Sequence, residues 1–143
     1  MTTRRILRSE IFENETLVTR ARVAIALEDR EGAERDAYDA LTYAASGEVY
    51  LTVPDILECV ASLIGGHEGA RLFGAADAFR HRRGIVRFKV YDAGYEAVVT
   101  ASREAMGTAD FDTAWAEGAA LSIDEAISYA QRGRGERTRP STG

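Results

Sequence analysis

Residues 17–44, LVTRARVAIALEDREGAERDAYDALTYA, decide the fold class. Leu17, Ala21, Ala24, Ile25 and Leu27 recur at three- and four-residue steps, the period of one helix face. That spacing predicts a helix from about Glu15 to Glu28, with Asn14 as its N-cap. Ala33, Ala37, Ala40, Leu41 and Ala44 continue the pattern and predict a second helix from Glu31 to Ser46. Gly47 follows it, where a helix end favours a residue that accepts left-handed backbone. Two short helices with a tight link and small residues on their facing sides form a helical hairpin.

The same period extends outward. Thr52 and Asp55 have the spacing of a capped start, and Pro54 fits a first turn, opening a helix through Ile56, Leu57, Val60, Leu63 and Ile64. Gly65 and Gly66 make a turn into a fourth helix from His67 to about Arg83, closed by Gly84. In residues 85–91, Val86, Phe88 and Val90 alternate with Arg87 and Lys89, a strand signature. No second strand exists to pair with it, and a lone strand leaves its backbone groups unsatisfied, so this stretch is an extended connector. A fifth helix near Asp92 to Met106 carries Tyr95, Val98, Val99 and Ser102 in register with Tyr91, and Gly107 ends it. Phe111, Ala114 and Trp115 mark a sixth. Ser122 and Glu125 form a capping box for a seventh, which bears Ile123, Ala126, Ile127 and Ala130.

Composition agrees with an all-α chain. Alanine, the strongest helix former, occurs 24 times against nine valines and eight isoleucines, and only two prolines interrupt the chain. A length of 143 residues suits one domain with a substantial core. We place that domain at residues 1–131 and read residues 132–143, rich in Arg, Gly, Ser and Thr, as a flexible basic linker. The tail holds +3 of a net −5, leaving −8 on the body, which repels phosphate backbones and argues against direct nucleic-acid binding. There is no signal-like apolar stretch and no run long enough to span a bilayer, so the expected compartment is the cytoplasm.

An internal repeat is visible. Leu17-x2-Arg20-Ala21-x2-Ala24 followed by Ala33-x3-Ala37-x2-Ala40 fits one tetratricopeptide-like (TPR-like) unit, although Arg20 stands in a usually apolar place and no proline closes the unit. Leu57-x2-Val60-Ala61-x2-Ile64 and Ala70-x3-Gly74 repeat the two halves with a shorter turn. The expected architecture is a TPR-like stack of antiparallel helical hairpins, about seven helices in all. Beyond spacing, residues 69–80, GARLFGAADAFR, resemble the helical region of LuxR-type transcription regulators of the MalT-like, ATPase-bearing classes. Residues 111–118, FDTAWAEG, and 121–127, LSIDEAI, resemble the end of that region, and residues 132–143 the linker before its helix-turn-helix. The resemblance implies a sensing and coupling segment. The family's P-loop and DNA-reading helix would lie elsewhere, since no G-x-x-x-x-G-K-[ST] is present here.

Few residues nominate chemistry. Gly65-Gly66-His67-Glu68-Gly69 lacks the strand and lysine of a phosphate loop and reads as a turn, with His67 and Glu68 as a local ion pair. His67 and His81 have no metal-ligand spacing, Cys59 reads as a small buried hydrophobe, and no G-x-S-x-G elbow nominates a nucleophile. Neither cofactor nor metal is expected. Arg80, Arg82, Arg83, Arg87 and Lys89, with His81, form the basic cluster of the body. They suit a helix end, whose carbonyls favour cations, or an anionic ligand or partner patch. Phe111, Trp115 and Tyr129 suggest an aromatic cluster in the core, with self-association into a homodimer through an uncovered end as an alternative role. The expected function is a non-catalytic helical interaction or sensor module, with a dimeric adaptor or a small-molecule-binding bundle near residues 80–89 as alternatives.

Overall fold

The computed structural model describes residues 16–47 and 50–138, with side chains described for all of these except 46–47 and 133–138. Helix α1 occupies residues 16–26, followed by α2 (Arg30–Gly47), α3 (Val53–Ile64) and α4 (Gly66–Arg83). A turn of 3-10 helix at Lys89–Tyr91 leads into α5 (Asp92–Met106), α6 (Thr108–Ala119) and α7 (Ile123–Thr138). The described residues contain helices and no strand, as the alanine-rich periodicity predicts. None of these helices is long and apolar enough to cross a membrane.

The stripes read from spacing are the core. Ala33, Ala37, Ala40, Leu41 and Ala44 of α2 are buried, as are Ile56, Leu57, Val60 and Leu63 of α3 and Ala126, Ile127 and Ala130 of α7. Leu27 departs from its stripe and is 74% exposed. The reason is local: α1 ends at residue 26, and Glu28 turns the chain with a φ of 60°, so Leu27 never completes the helical face. Helix α2 begins on a cap that spacing did not reveal, the backbone N–H of Gly32 donating to Asp29 Oδ1 at 3.1 Å.

Other ends divide between the expected and the corrected. The Ser122 N–H donates to Glu125 Oε1 at 2.8 Å, and the Glu125 N–H donates to Ser122 Oγ at 3.1 Å, completing the capping box. Thr52 makes no side-chain cap, because its own backbone is helical (φ −93°, ψ −8°) rather than extended. Gly84 closes α4 in the left-handed conformation, φ 66° and ψ 31°. Helix α7 continues to Thr138, seven residues into the stretch 132–143 read from composition as a linker. Asn14 and residues 139–143 of the basic tail lie outside the described residues.

Pairing within the core is antiparallel. Ala61 and Gly69 meet beside the Gly65-Gly66 turn, whereas Asp55 and Glu58 meet Arg80 near the far end of α4. The following helix does not simply stack on this hairpin. Helix α5 contributes no fully buried residue, and α6 returns to run antiparallel along α4. There Gly74 lies against the Trp115 carbonyl and Gly118 against the Arg71 carbonyl, approaches so close that a Cβ at either glycine would collide with backbone oxygen.

Candidate functional site

Helix α3 carries Asp55 and Glu58 three residues apart, hence on one face of the helix. Three guanidinium groups converge on them. From α4, Arg80 donates through Nε to Glu58 Oε2 at 2.9 Å and through Nη2 to Asp55 Oδ1 at 2.9 Å. From the connector, Arg87 donates through Nη2 to Glu58 Oε2 at 2.7 Å and through Nε to Oε1 at 2.9 Å, a bidentate pair. From α1, Arg22 reaches Asp55 Oδ1 at 2.7 Å and Glu58 Oε1 at 3.2 Å. The Glu58 side chain is 3% exposed and every one of these arginines is largely covered, so the cluster is internal.

Burial by itself would push the Glu58 carboxyl towards its neutral form. Hydrogen bonds from Arg87 and Arg80, together with their charges, outweigh that effect and hold it below its ordinary value. Arg22 and Arg87 are held in the charged form against the same desolvation, Arg87 chiefly by its bonds and proximity to Glu58. Both also lie over aromatic faces, Arg22 at 4.3 Å from the Tyr91 ring centre and Arg87 at 3.4 Å from that of Tyr95. The alternation in residues 85–90 is thereby broken at one position. Arg87 faces inward, while Val86, Phe88 and Val90 are exposed.

Beside the cluster lies a cavity of about 380 Å³, walled by α1, α3, the 3-10 turn and α5. Its lining is chiefly apolar and includes Cys59, Tyr91, Tyr95 and Val98, with Arg22 and Glu58 at the polar end. Burial pushes the Cys59 thiol up to about 12, and burial together with Glu58 pushes the Tyr95 phenol up to about 12, so both stay protonated at neutral pH.

The basic cluster read from spacing is divided by the fold. Arg80 and Arg87 enter the interior, whereas Arg82 and Arg83 line a shallow polar depression with Phe79, Ser122 and Glu125, and Lys89 is exposed. His81 Nδ1 lies 3.5 Å from Asp77 on the helix surface, and His67 is exposed. Among the described residues no three His, Cys, Asp or Glu side chains are grouped to hold a metal ion. Phe111 and Trp115 do pair, at 5.6 Å between ring centres, while the Tyr129 hydroxyl instead accepts a hydrogen bond from Arg71 at 3.0 Å. The residues that spacing missed are Arg22, Asp55 and Glu58. A glutamate among Ile56, Leu57, Cys59 and Val60 was the available signal, since an unpaired charge is not tolerated there.

Fold and site together define an all-α domain whose helices are cross-linked by an internal ion cluster next to an apolar cavity. Over 131 residues the chain is 58% identical to proteins named "Putative HTH-type transcriptional regulator" in Mycobacterium bovis and in two strains of Mycobacterium tuberculosis. The match covers 89% of this chain and 15% of each relative, so the chain spans about a seventh of their length. No protein-family profile matches the chain, and no solved structure does.

Proposed function

We propose that this chain is a non-catalytic helical sensor or interaction module of a LuxR-type transcription regulator, passing partner or effector binding to a DNA-binding region elsewhere. The observation that carries this is its 58% identity, across nearly its whole length, to a small part of much longer proteins named as HTH-type regulators. The TPR-like spacing of α3 and α4 and the LuxR-like segments at residues 69–80, 111–118 and 121–127 support the finer assignment. The ion cluster supports a relay role, because it ties α1, α3, α4 and the connector to one buried carboxylate. A shift of any one of these parts is then felt by the others.

The test is a chimera in which this chain replaces the matching segment of the M. tuberculosis relative, followed by mapping of promoter occupancy. Occupancy at the relative's own sites is expected. A folded chimera that occupies none of them removes the regulatory reading, and substrate turnover abolished by one substitution removes the non-catalytic part. A free-standing dimeric adaptor is the second reading, favoured by the exposed apolar side chains Val86, Phe88 and Val90 on one connector. Sedimentation of the isolated chain as a monomer at high concentration excludes it.

A further inference from the structure

We propose that the cavity between α1, α3 and α5 binds an uncharged, hydrocarbon-rich small molecule of about ten non-hydrogen atoms, which supplies the core layer that α5 lacks. Tyr91, Tyr95 and Val98 line the cavity at four- and three-residue steps, one apolar stripe along the start of α5. Such a stripe ordinarily docks in a core, yet no residue of α5 is fully buried. Across the space Cys59 is buried and Ile25 half-buried, whereas Val23 and Val90 are exposed, so the cavity has a covered floor and an apolar mouth. Native interiors pack as densely as organic crystals, and a space of about 380 Å³ exceeds the voids they leave. An apolar cavity of about 150 Å³ takes up benzene, which sets the scale of the occupant.

Charge balance makes the occupant neutral. Asp55, Glu58 and Asp92 match Arg22, Arg80 and Arg87 one for one, and all six are paired with one another. At the polar end of the cavity the Glu58 side chain is 3% exposed and Arg22 Nε is covered, so the cluster presents no unmatched charge to an incoming head group. Cys59 and Tyr95 keep their protons at neutral pH, and the rest of the wall is uncharged as well. An ion placed against this wall would give up its hydration for no counter-charge. A sugar or a nucleotide would need more polar groups than the lining carries.

This inference gives the proposed sensor its ligand class and rests on that reading only for its biological consequence. Binding is measured on this chain alone and promoter occupancy on the chimera, so the two fail separately. The probes are 1-octanol, octanoate and octylammonium, chains of equal length that are neutral, negative and positive at pH 7. Saturable one-to-one binding of octanol is expected by calorimetry, with each ion at least about tenfold weaker. Amide exchange in residues 95–99 is expected to slow in saturating octanol, as α5 gains packing. Gly94 lines the cavity, and a Cβ there meets nothing within 4 Å, so Gly94→Leu places a side chain in the space. That variant is expected to melt no lower than the unaltered chain, leucine being the better helix former, and to bind octanol at least about tenfold more weakly. Absence of octanol binding, an ion bound as tightly as octanol, unchanged exchange in α5, or full binding by folded Gly94→Leu overturns the proposal. So does a dimer of the unaltered chain that Gly94→Leu dissociates, which would assign the cavity to a second copy. The comparison of the three probes needs no variant and stands even if a substitution prevents folding.

Discussion

Glu58 accepts hydrogen bonds from three guanidinium groups carried by three different parts of the chain, and its removal leaves Arg22 and Arg80 to share Asp55 and Arg87 with only the half-exposed Asp92. Breaking a buried ion pair from one side costs about 3–5 kcal/mol, against a total stability of about 5–15 kcal/mol for a domain. Glu58→Gln should therefore lower the urea midpoint by a large fraction, with an unchanged denaturation slope if the unfolded ensemble is unaffected. The pH dependence has a definite sign. The folded-state carboxyl is held below its ordinary value of 4.5, so its stabilising effect is complete above that value and is lost as pH falls through the lower folded one. The urea midpoint of the unaltered chain should drop on acidification below about 4.5, and Glu58→Gln should flatten that drop. An equally steep acid transition in the variant would assign acid sensitivity to other carboxylates. At this scale the sequence was only partly legible. Arg80 and Arg87 stood out as charges, but their inward direction depends on a glutamate on another helix.

Among the elements, α4 and α6 show a geometry that spacing suggested only in outline. Small residues were expected where helices approach, and Gly74 does serve such an approach, towards α6 rather than within its own hairpin. Alanine at Gly118 would gain about 1 kcal/mol in intrinsic helix propensity. Its Cβ would nevertheless collide with the Arg71 carbonyl, which belongs to helix backbone and cannot swing away. Overpacking of about 1–3 kcal/mol should win, so Gly118→Ala is expected to melt at lower temperature. A melting temperature that rises would show that α6 can move off α4 at little cost. The caps carry a related lesson. Ser122 and Glu125 cap α7 because both partners are local, whereas Thr52 fails because its backbone is already helical. Asp29 caps α2 from a position that no helical stripe marked.

For the molecule as a whole, Cys59 reports on integrity, being 2% exposed beside both the ion cluster and the cavity. With its thiol pushed up to about 12, native Cys59 should react with a disulfide reagent at pH 8 at least about a thousandfold more slowly than in denatured protein, opening being required first. Glu58→Gln should speed that reaction, whereas rapid labelling of the unaltered chain would mean that α1 or α5 leaves the core readily. Sequence by itself determined the all-α class, most helix limits and the apolar stripes of α2, α3 and α7, because helical periodicity and the glycine and serine end signals act over four residues or fewer. It also read residues 85–91 as an extended connector, which holds for 85–88, whereas Lys89–Tyr91 turn into a 3-10 helix. Only the tertiary structure decided that Arg87 turns inward while Val86, Phe88 and Val90 stay outside, that α6 returns to α4, and that a cavity opens beside Arg22. Those outcomes follow from interactions across 22 to 47 residues, such as Arg80 with Glu58, Arg22 with Glu58 and Arg71 with Gly118, whose partners become neighbours once the helices have packed.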